Sequence, residues 1–364
     1  MVLRRRFTSA LTSVALLGSV SVVCATMPGA IASATAAPGA TSTTWVDQAV
    51  SFRVYGLSIY ATFRHPSHQV DPVPGVLLIA GSGPTDRNGN SSVEPGPIDT
   101  LKTLADWLSA DGVASLRYDK LGSGQTGIGP YASDPDSIGI APFEEESAAA
   151  LTFLARQKGV DDRRLGVFGH SEGALFALLL ATGHAGKVPP IRALGLFEPL
   201  SLRYLSLIEV QVDAQVAAQV TSKEISTKLA ATVDATLVTA VKRLRATGTV
   251  TPNLPYGLGS ILNAGTAKFL FEADAFDPQV LAASLARGTP VLLSCSNDDT
   301  QVSCAQVQRV VQGVTSAHGV ATLVRLSGVD HVLKVDPSGS GYTKPLPFSP
   351  ALRDAVDHFV QESL

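Results

Sequence analysis

Short apolar runs alternate with helical patterns along most of this 364-residue chain, and this alternation constrains the fold more than any other feature. Runs of four to six largely apolar residues are typical of strands buried on both faces of a parallel sheet, and they occupy residues 76–79, 113–117, 165–168, 193–197, 290–294 and 321–326. Between them, apolar residues recur every three or four positions, as in amphipathic helices, at residues 98–110, 143–158, 171–182, 302–317 and 350–360. The alternation predicts an α/β fold with a mostly parallel sheet and helices on both faces.

Two parts of the chain depart from this alternation. Residues 49–54 and 57–63 alternate polar with apolar side chains, which predicts an antiparallel hairpin at the sheet edge. Residues 201–274 carry no convincing strand and are rich in Ala, Val, Leu and Thr. We therefore expect a mostly helical insertion at 201–274, within a core made of residues 46–200 and 275–364.

The first forty residues have the features of an export signal. Three arginines at positions 4–6 precede a small apolar stretch at 11–25, and small residues at cleavage-type spacing follow at 30–32 and 34–36. We expect residues 1–40 to be a signal peptide and linker, with the Sec and twin-arginine routes both open. The mature protein is then secreted or held in the cell envelope, and we expect no membrane span in it.

Charge and residue types narrow the possible partners. The formal net charge is −3 and no basic run occurs after residue 6, so nucleic acid is not an expected partner. The chain has no Cys-x-x-Cys and no His-Glu-x-x-His, and its 7 histidines are scattered, so we expect no metal and no other cofactor. Signal cleavage would leave Cys295 and Cys304, for which we expect a disulfide in an oxidising compartment, with two free buried thiols as the alternative.

The clearest chemical signal is a serine at the end of a predicted strand. Residues 169–173 read Gly-His-Ser-Glu-Gly, directly after the run at 165–168 and before an apolar helical run. A Gly-x-Ser-x-Gly turn between a strand and a helix is typical of a nucleophile elbow, which exposes the serine hydroxyl at the carboxyl edge of the sheet. Ser171 is therefore the candidate nucleophile.

A serine nucleophile needs a general base and an acid that orients it. His331 directly follows the last predicted strand, at the edge where the site is expected, so it is the candidate base. The acid is expected after the preceding strand, where Asp298 and Asp299 are adjacent, and their spacing does not choose between them. We expect the other aspartate to cap the following helix.

The same chemistry needs backbone N–H groups that bind the oxyanion. One is expected from Glu172, directly after the nucleophile, and another from Ser82, in the Gly-rich turn after the run at 76–79. A Gly-rich turn can also cradle a phosphate, but Pro84 interrupts this one and no Gly-Lys-Ser/Thr follows. We therefore assign Ser82 and Glu172 to an expected oxyanion hole.

Several motifs together resemble those of a known family. They are Gly-Ser-Gly-Pro-x-Asp-Arg-Asn-Gly-Asn at 81–90, Leu-Arg-Tyr-Asp-Lys-x-Gly-x-Gly at 116–124, the pentapeptide at 169–173, Asp-x-Gln-Val at 299–302 and Asp-His at 330–331. This set is similar to the bacterial α/β-hydrolase esterases with an HGSGPxDRDGN oxyanion loop, which are close relatives of the serine aminopeptidase-like hydrolases. The resemblance implies an eight-stranded sheet of the α/β-hydrolase fold, a helical cap formed by the insertion, ester hydrolysis through a serine triad, and Asp299 as its acid.

The chain departs from that family pattern at a few positions. Ala80 stands where the oxyanion loop of the family has His, Asn88 replaces Asp, Leu121 replaces Arg, and Ala174 follows the elbow where Gly is common. None of these changes removes a member of the expected triad.

We expect an exported carboxylesterase that cleaves small-molecule esters of small to medium, uncharged acyl groups through an acyl-enzyme on Ser171. A serine aminopeptidase would use the same triad, but it would need a carboxylate in the insertion to bind the substrate ammonium, and the candidates are Glu209, Asp213, Glu272 and Asp274. A thioesterase or lipase is a further alternative, and a non-catalytic exported binding protein is an alternative of another class. The oligomeric state is left open.

Overall fold

The computed structural model describes residues 43–68 and 71–364. The predicted signal peptide and linker at 1–40 lie outside the described residues. In the described part, a single sheet holds eight strands: β1 (Trp45–Val54), β2 (Leu57–Pro66), β3 (Val73–Ile79), β4 (Ala114–Tyr118), β5 (Val160–His170), β6 (Ala193–Phe197), β7 (Pro290–Ser296) and β8 (Val320–Leu326).

The strand order across the sheet is β1-β2-β4-β3-β5-β6-β7-β8. Strand β2 runs antiparallel to its neighbours β1 and β4, and the other pairs are parallel. Each of the eight runs expected from the sequence overlaps one of these strands, so the predicted hairpin and the mostly parallel sheet are confirmed. The carboxyl ends of the parallel strands meet at one edge of the sheet, and the loops at this edge carry the candidate site.

Nine α-helices occur in the described part: α1 (Thr100–Ala110), α2 (Ala141–Ala155), α3 (Glu172–Ala181), α4 (Tyr204–Thr221), α5 (Thr227–Thr247), α6 (Ala264–Ala273), α7 (Pro278–Ala283), α8 (Cys304–Ser316) and α9 (Pro350–Ser363). Short 3-10 helices lie at Gly129–Ser133, Pro135–Ser137 and Leu258–Ser260. The five helices expected outside the insertion correspond to α1, α2, α3, α8 and α9, so those predictions are confirmed.

Alternate side chains of the central strands pack against helices on opposite faces of the sheet. On β3, Val76 and Leu78 belong to the core beneath α1 and α9, whereas Leu77 and Ile79 belong to the core beneath α2, α3 and α8. All four side chains are 2% exposed or less. This burial on both faces explains why the central strands are continuously apolar rather than alternating.

Residues 201–274 fold as α4, α5 and α6 with one 3-10 helix and no strand. Apolar side chains of the three helices, among them Val233 and Leu270, form a small core of their own. Arg203, just before α4, and Arg245, on α5, both pair with the buried carboxylate of Asp274 directly after α6. The two ends of this segment are thereby tied together.

A disulfide joins β7 to the first residue of α8. It links Cys295 to Cys304, with an S–S distance of 2.04 Å, and the expected pairing is therefore confirmed. The loop that it closes is the one that carries Asp298 and Asp299.

Within residues 43–68 and 71–364, no helix is long and apolar enough to cross a bilayer. The same ranges contain no group of three or more His, Cys, Asp or Glu side chains that could hold a metal ion.

Candidate active site

The loop between β5 and α3 makes a tight turn around Ser171. Strand β5 ends at His170, α3 begins at Glu172, and Ser171 between them has a φ of 53° and a ψ of −117°. A positive φ is uncommon for a residue with a side chain. The turn is held by two hydrogen bonds, because the Ser171 N–H donates to the Phe197 carbonyl at 2.9 Å and the Ser171 carbonyl accepts from the Leu200 N–H at 3.1 Å. The backbone of the candidate nucleophile is therefore fixed against the end of β6.

The two glycines of the elbow are required by the close approach of neighbouring backbone. A Cβ atom at Gly169 would collide with the backbone of Gly173, and a Cβ atom at Gly173 would collide with the carbonyl of Ile79 at the end of β3. A Cβ atom at Gly81, in the loop after β3, would lie 3.3 Å from the Cβ of Ser171. The Gly-x-Ser-x-Gly spacing thus lets the elbow pack directly against β3 and the loop that follows it.

Asp299 and His331 meet across the loops after β7 and β8. Asp299 Oδ2 lies 2.8 Å from His331 Nδ1, and Asp299 Oδ1 accepts from the N–H groups of Gln301 at 2.6 Å and Val302 at 3.1 Å. The Asp299 side chain has no exposed surface. Burial opposes its ionisation, but His331 and the two N–H donors outweigh burial and hold the pKa of Asp299 below its ordinary value. An ionised acid bonded to Nδ1 directs the other ring nitrogen of His331 away from Asp299.

Asp298 has a different role from the one expected. Its Oδ2 accepts from the Gly328 N–H at 2.6 Å, which ties the loop after β7 to the loop after β8. The expectation that the second aspartate caps the next helix is wrong, because Ser303 caps α8 in a reciprocal pair of hydrogen bonds with Gln306. The two adjacent aspartates therefore have different partners. Asp298 bonds to Gly328, and Asp299 bonds to His331.

His170 connects the elbow to the loop that carries His331. Its Nε2 donates to the His331 carbonyl at 2.7 Å, and the two imidazole rings lie 5.0 Å apart between centroids. Burial and the neighbouring His331 lower the pKa of His170 to about 3, so the ring is neutral. Among the hydrogen bonds of the described residues, none joins the Ser171 hydroxyl to His331 directly. Such bonds are often long in unliganded enzymes and tighten when substrate binds.

The two expected oxyanion donors lie on adjoining backbone segments. The N–H groups of Ser82 and Glu172 donate to no backbone carbonyl within the part of the chain that the structure describes. Glu172 is the first residue of α3, where N–H groups have no acceptor within the helix. At the far end of the Ser82 loop, Arg87 Nε donates to Asp119 Oδ1 at 3.0 Å, which anchors the loop to the one after β4. Both N–H groups are therefore available to a bound oxygen atom.

Glu198 is a buried carboxyl group that the sequence analysis did not assign. It directly follows β6, has a φ of 42° and has no exposed surface. Its Oε1 accepts from the Ser294 hydroxyl at 3.2 Å and its Oε2 accepts from the Ser296 N–H at 3.1 Å. Burial, the charge of Asp299 and a hydrogen bond with Asp299 raise the pKa of Glu198 well above its ordinary value. Glu198 is therefore a neutral acid that can donate to Asp299.

A second buried polar cluster lies beneath the oxyanion loop. Lys120, in the loop after β4, is 5% exposed and donates from Nζ to the Gly81 carbonyl at 2.5 Å and to Glu172 Oε1 at 2.8 Å. The other carboxylate oxygen, Glu172 Oε2, accepts from the Tyr204 hydroxyl at 2.5 Å. Because Tyr204 is the first residue of α4, this cluster joins the inserted helices to the elbow and to the oxyanion loop.

Sequence reasoning missed His170, Lys120 and Glu198 as parts of the site. Two of them leave a signal in the sequence, because Glu198 is an acid directly after a wholly apolar strand and Lys120 falls within the motif at 116–124. His170 leaves a weaker signal, since the middle positions of the elbow motif accept many residue types.

Three of the four carboxylates named for a substrate ammonium already have protein partners. Asp274 accepts from Arg203, Arg245 and the Leu205 N–H, and it is 2% exposed. Glu209 pairs with Arg245 at 3.4 Å, and Glu272 Oε2 accepts from the Ile140 N–H at 2.7 Å. The remaining candidate is Asp213, whose pKa is raised by partial burial and by the nearby Asp234.

Comparison with known proteins finds a distant relative among the curated proteins. No family model matches the chain. Among curated proteins, the chain is 26% identical over 283 residues to the esterase EstD of Thermotoga maritima, an alignment that covers 76% of this chain. The chain spans 58% of the length of that relative.

Solved structures are similar in fold at low sequence identity. Est1E from Butyrivibrio proteoclasticus with bound ferulic acid has a TM-score of 0.53 at 17% identity, covering 86% of this chain and 98% of that one. DcsB in complex with its substrate analogue has a TM-score of 0.53 at 15% identity, covering 88% of this chain and 100% of that one. Together with the eight-stranded sheet and its strand order, these similarities give the chain the α/β-hydrolase fold.

Proposed function

We propose that this protein is a serine hydrolase that cleaves carboxylic esters through an acyl-enzyme on Ser171. The observation that carries the proposal is the 2.8 Å bond between Asp299 and His331, beside a serine held at positive φ between strand and helix. The esterase EstD, which is 26% identical over 283 residues, supports an ester as substrate. Proteins with this fold catalyse many different reactions, so the proposed activity depends on the residues of the site and not on the fold alone.

The proposed reaction has two acyl-transfer steps. Ser171 Oγ attacks the ester carbonyl carbon while His331 Nε2 accepts the hydroxyl proton, and Asp299 stays ionised to stabilise the imidazolium. The C–O bond of the ester then breaks, and the leaving alcohol takes the proton from His331. In the second step, water attacks the acyl carbonyl carbon and gives a proton to His331. The bond between the acyl carbon and Ser171 Oγ then breaks, His331 returns the proton to Oγ, and the acid is released.

The oxyanion of each tetrahedral intermediate would bind the N–H groups of Ser82 and Glu172. Their lack of backbone acceptors supports this assignment, since preorganised donors need no rearrangement when charge develops. The close approach of Gly81 to Ser171 supports the assignment of Ser82, since it brings the loop that carries Ser82 next to the elbow. His170, bonded to the His331 carbonyl, would hold the base near the elbow.

The helices at 201–274 would form the acyl pocket. Tyr204, their first residue, donates to the side chain of Glu172, so the segment starts beside the nucleophile. The Ala, Val and Leu content of these helices favours an uncharged acyl group of small to medium size. An aminopeptidase is less well supported, because Asp274, Glu209 and Glu272 are already bound within the protein.

The test is intact-mass analysis after exposure of the mature protein to a fluorophosphonate. One adduct is expected on the wild-type protein and none on Ser171→Ala. Ser147→Ala is the matched control, because Ser147 is a buried serine, 1% exposed, whose hydroxyl bonds within α2. An unlabelled wild-type protein, or a labelled Ser171→Ala, would reject the proposal.

A substrate panel then separates the remaining alternatives. Acyl esters, acyl thioesters and aminoacyl anilides of matched acyl size are compared by kcat/KM. The proposal requires the esters to be the best substrates. A preference for anilides would identify a peptidase, and a preference for thioesters a thioesterase.

We also propose that the enzyme acts outside the cytoplasm. The Cys295–Cys304 disulfide supports this, since such bonds persist mainly in oxidising compartments. N-terminal sequencing of the protein recovered from its native cells tests the point. A chain that retains residues 1–40 and is found in the cytosol would contradict it.

A further inference from the structure

We propose that Lys120 is a positioning residue that sets the direction of both oxyanion-hole donors. The inference rests on the proposed function, because it assumes an oxyanion bound by the N–H groups of Ser82 and Glu172. Lys120 touches neither N–H group itself. Its ammonium contacts instead the Gly81 carbonyl, at 2.5 Å, and the Glu172 side chain, at 2.8 Å.

The first contact acts through the geometry of the peptide bond. The Gly81 carbonyl and the Ser82 N–H belong to one peptide unit, and in a planar trans peptide they point in opposite directions. Lys120 binds the carbonyl from the protein interior, so the N–H of the same unit faces the opposite side. Gly81 carries no Cβ to hinder rotation of this unit, which leaves the Lys120 bond to fix its orientation.

The second contact acts on the start of α3. Glu172 supplies the other donor, and its carboxylate is held at both oxygens, by Lys120 at Oε1 and by Tyr204 at Oε2. The side chain is 5% exposed, so it has little alternative solvation. Lys120 therefore connects the residue of one donor to the peptide unit of the other.

The cluster around Lys120 contains a further buried carboxyl group. Glu146 is also buried near Lys120 and accepts from the Leu121 N–H at 2.8 Å. Burial raises the pKa of Glu146 to about 8, so Glu146 is neutral near pH 7. Lys120 Nζ bonds to the Glu172 side chain and to the Gly81 carbonyl at the same time, so a displacement of Lys120 would weaken both contacts.

The test is the kinetics of Lys120→Met, which keeps the length of the stem and removes the donor. We expect kcat for an ester to fall about 100-fold with KM changed less than about threefold, as for the loss of one oxyanion-hole donor. The inhibition constant of an alkyl trifluoromethyl ketone, whose adduct with Ser171 carries an oxyanion, is expected to rise about 100-fold as well. This constant does not depend on the fraction of protein that is folded.

The matched control is Arg64→Met. Arg64 forms ion pairs of similar length with Asp47 and Asp106, away from the carboxyl edge of the sheet. The Arg64→Met variant shows how much stability is lost when a partly buried ion pair is removed. Its inhibition constant is expected to equal that of the wild-type protein. If Lys120→Met does not fold, Lys120→Gln is measured in its place, with the same expected loss of charge.

The possible results are distinct. An unchanged inhibition constant in a folded Lys120 variant overturns the inference, whether kcat falls or not, and leaves the proposed function intact. A wild-type protein that reacts with neither the ketone nor the fluorophosphonate overturns both. Parallel changes in kcat and in the inhibition constant support Lys120 as the positioning residue.

Discussion

Glu198 and Asp299 are neighbouring carboxyl groups that their surroundings hold in opposite protonation states. Asp299 receives two backbone N–H groups and faces His331, which favours its charge. Glu198 is fully buried and faces the charge of Asp299, both of which favour its neutral form. One proton between two carboxyls gives a hydrogen bond instead of a repulsion. The acid of the proposed triad is therefore supported by a second acid that must stay neutral.

This arrangement predicts different results for two substitutions of Glu198. Glu198→Gln keeps a neutral donor and an acceptor, so kcat/KM is expected to stay within about threefold of wild type, less than about 1 kcal/mol. Glu198→Ala leaves the buried Ser296 N–H unpaired and should lower the free energy of unfolding by about 1–3 kcal/mol, in addition to the cost of the cavity. Urea unfolding and steady-state kinetics check both variants. A 100-fold loss of kcat/KM in Glu198→Gln, far above about 1 kcal/mol, would mean that Glu198 is charged during the reaction.

Among individual site residues, the sequence predicted those that lie in a local motif or directly after a predicted strand. It missed those whose role depends on contacts across the sheet. Ser171 lies in a five-residue motif, and His331 follows a predicted strand, so both could be named as candidates. Glu198 touches Asp299 because β6 and β7 pair in parallel, and that partner is about a hundred positions away in sequence. Asp298 and Asp299 could not be separated because their roles depend on which neighbour each carboxylate meets.

Gly173→Ala is expected to have a severe effect, because Gly173 belongs to the elbow between β5 and α3 that carries the proposed nucleophile. The new Cβ would meet the carbonyl of Ile79, which is backbone at the end of a buried strand and cannot move aside. We expect a loss of about 1–3 kcal/mol of stability and a fall of about 100-fold in the rate of fluorophosphonate labelling, because a small displacement of Ser171 has a large effect. Gly96→Ala is the control, since a Cβ there would lie 3.5 Å from the Thr343 side chain, an ordinary contact. Equal behaviour of the two variants would contradict the packing argument.

The disulfide in the loop between β7 and α8 is expected to contribute measurably to the free energy of unfolding. The bond closes a loop of sequence separation 9 around Asp299. On the chain-entropy estimate, replacing both cysteines by alanine should lower the free energy of unfolding by about 2.5 kcal/mol. Urea unfolding with and without reductant measures this, and reductant should lower the stability of the wild-type protein but not that of the Cys295→Ala/Cys304→Ala variant. An equal response of the two proteins to reductant would show that the bond is not formed.

The sequence predicted which strands and helices are present better than it predicted where they begin and end. Six strands were found from short apolar runs and the two hairpin strands from alternating polar and apolar residues, so all eight were found. Helix α1 begins at Thr100, two residues later than expected, because Asp99 has a φ of 63° and cannot be helical. Helix α8 begins at Cys304 because Ser303 caps it. Strand β5 extends back to Val160 through a polar segment that carries no apolar signal. Caps and polar strand ends depend on single side chains, which an apolar pattern does not report.

For the whole molecule, the buried titratable groups determine how stability depends on pH. Burial raises the pKa of Glu146 to about 8. Burial and the charge of Asp299 raise the pKa of Glu198 well above its ordinary value. In the unfolded chain both carboxyls lose their protons near pH 4.3. The folded state therefore keeps the Glu146 proton at neutral pH, whereas the unfolded state has lost it, and the raised pKa of Glu198 acts in the same direction. By contrast, His170 has a folded pKa of about 3 and an unfolded value near 6.5, so it affects stability mainly below neutrality.

The sign of the effect follows from proton binding. Because the folded state binds more protons near neutrality, the free energy of unfolding must fall as the pH rises towards the folded pKa values. Between pH 7 and pH 8 we expect Glu146 to contribute a decrease of up to about 1.4 kcal/mol, which is the limit for one proton at 1.36 kcal/mol per pH unit. Glu146→Gln keeps the acceptor for the Leu121 N–H and should remove this contribution to the slope. Glu224→Gln makes the same substitution at an exposed position and serves as the control. Urea unfolding of the three proteins at both pH values gives the slopes, and a slope in Glu146→Gln equal to that of the wild-type protein would mean that Glu146 is ionised in the folded state.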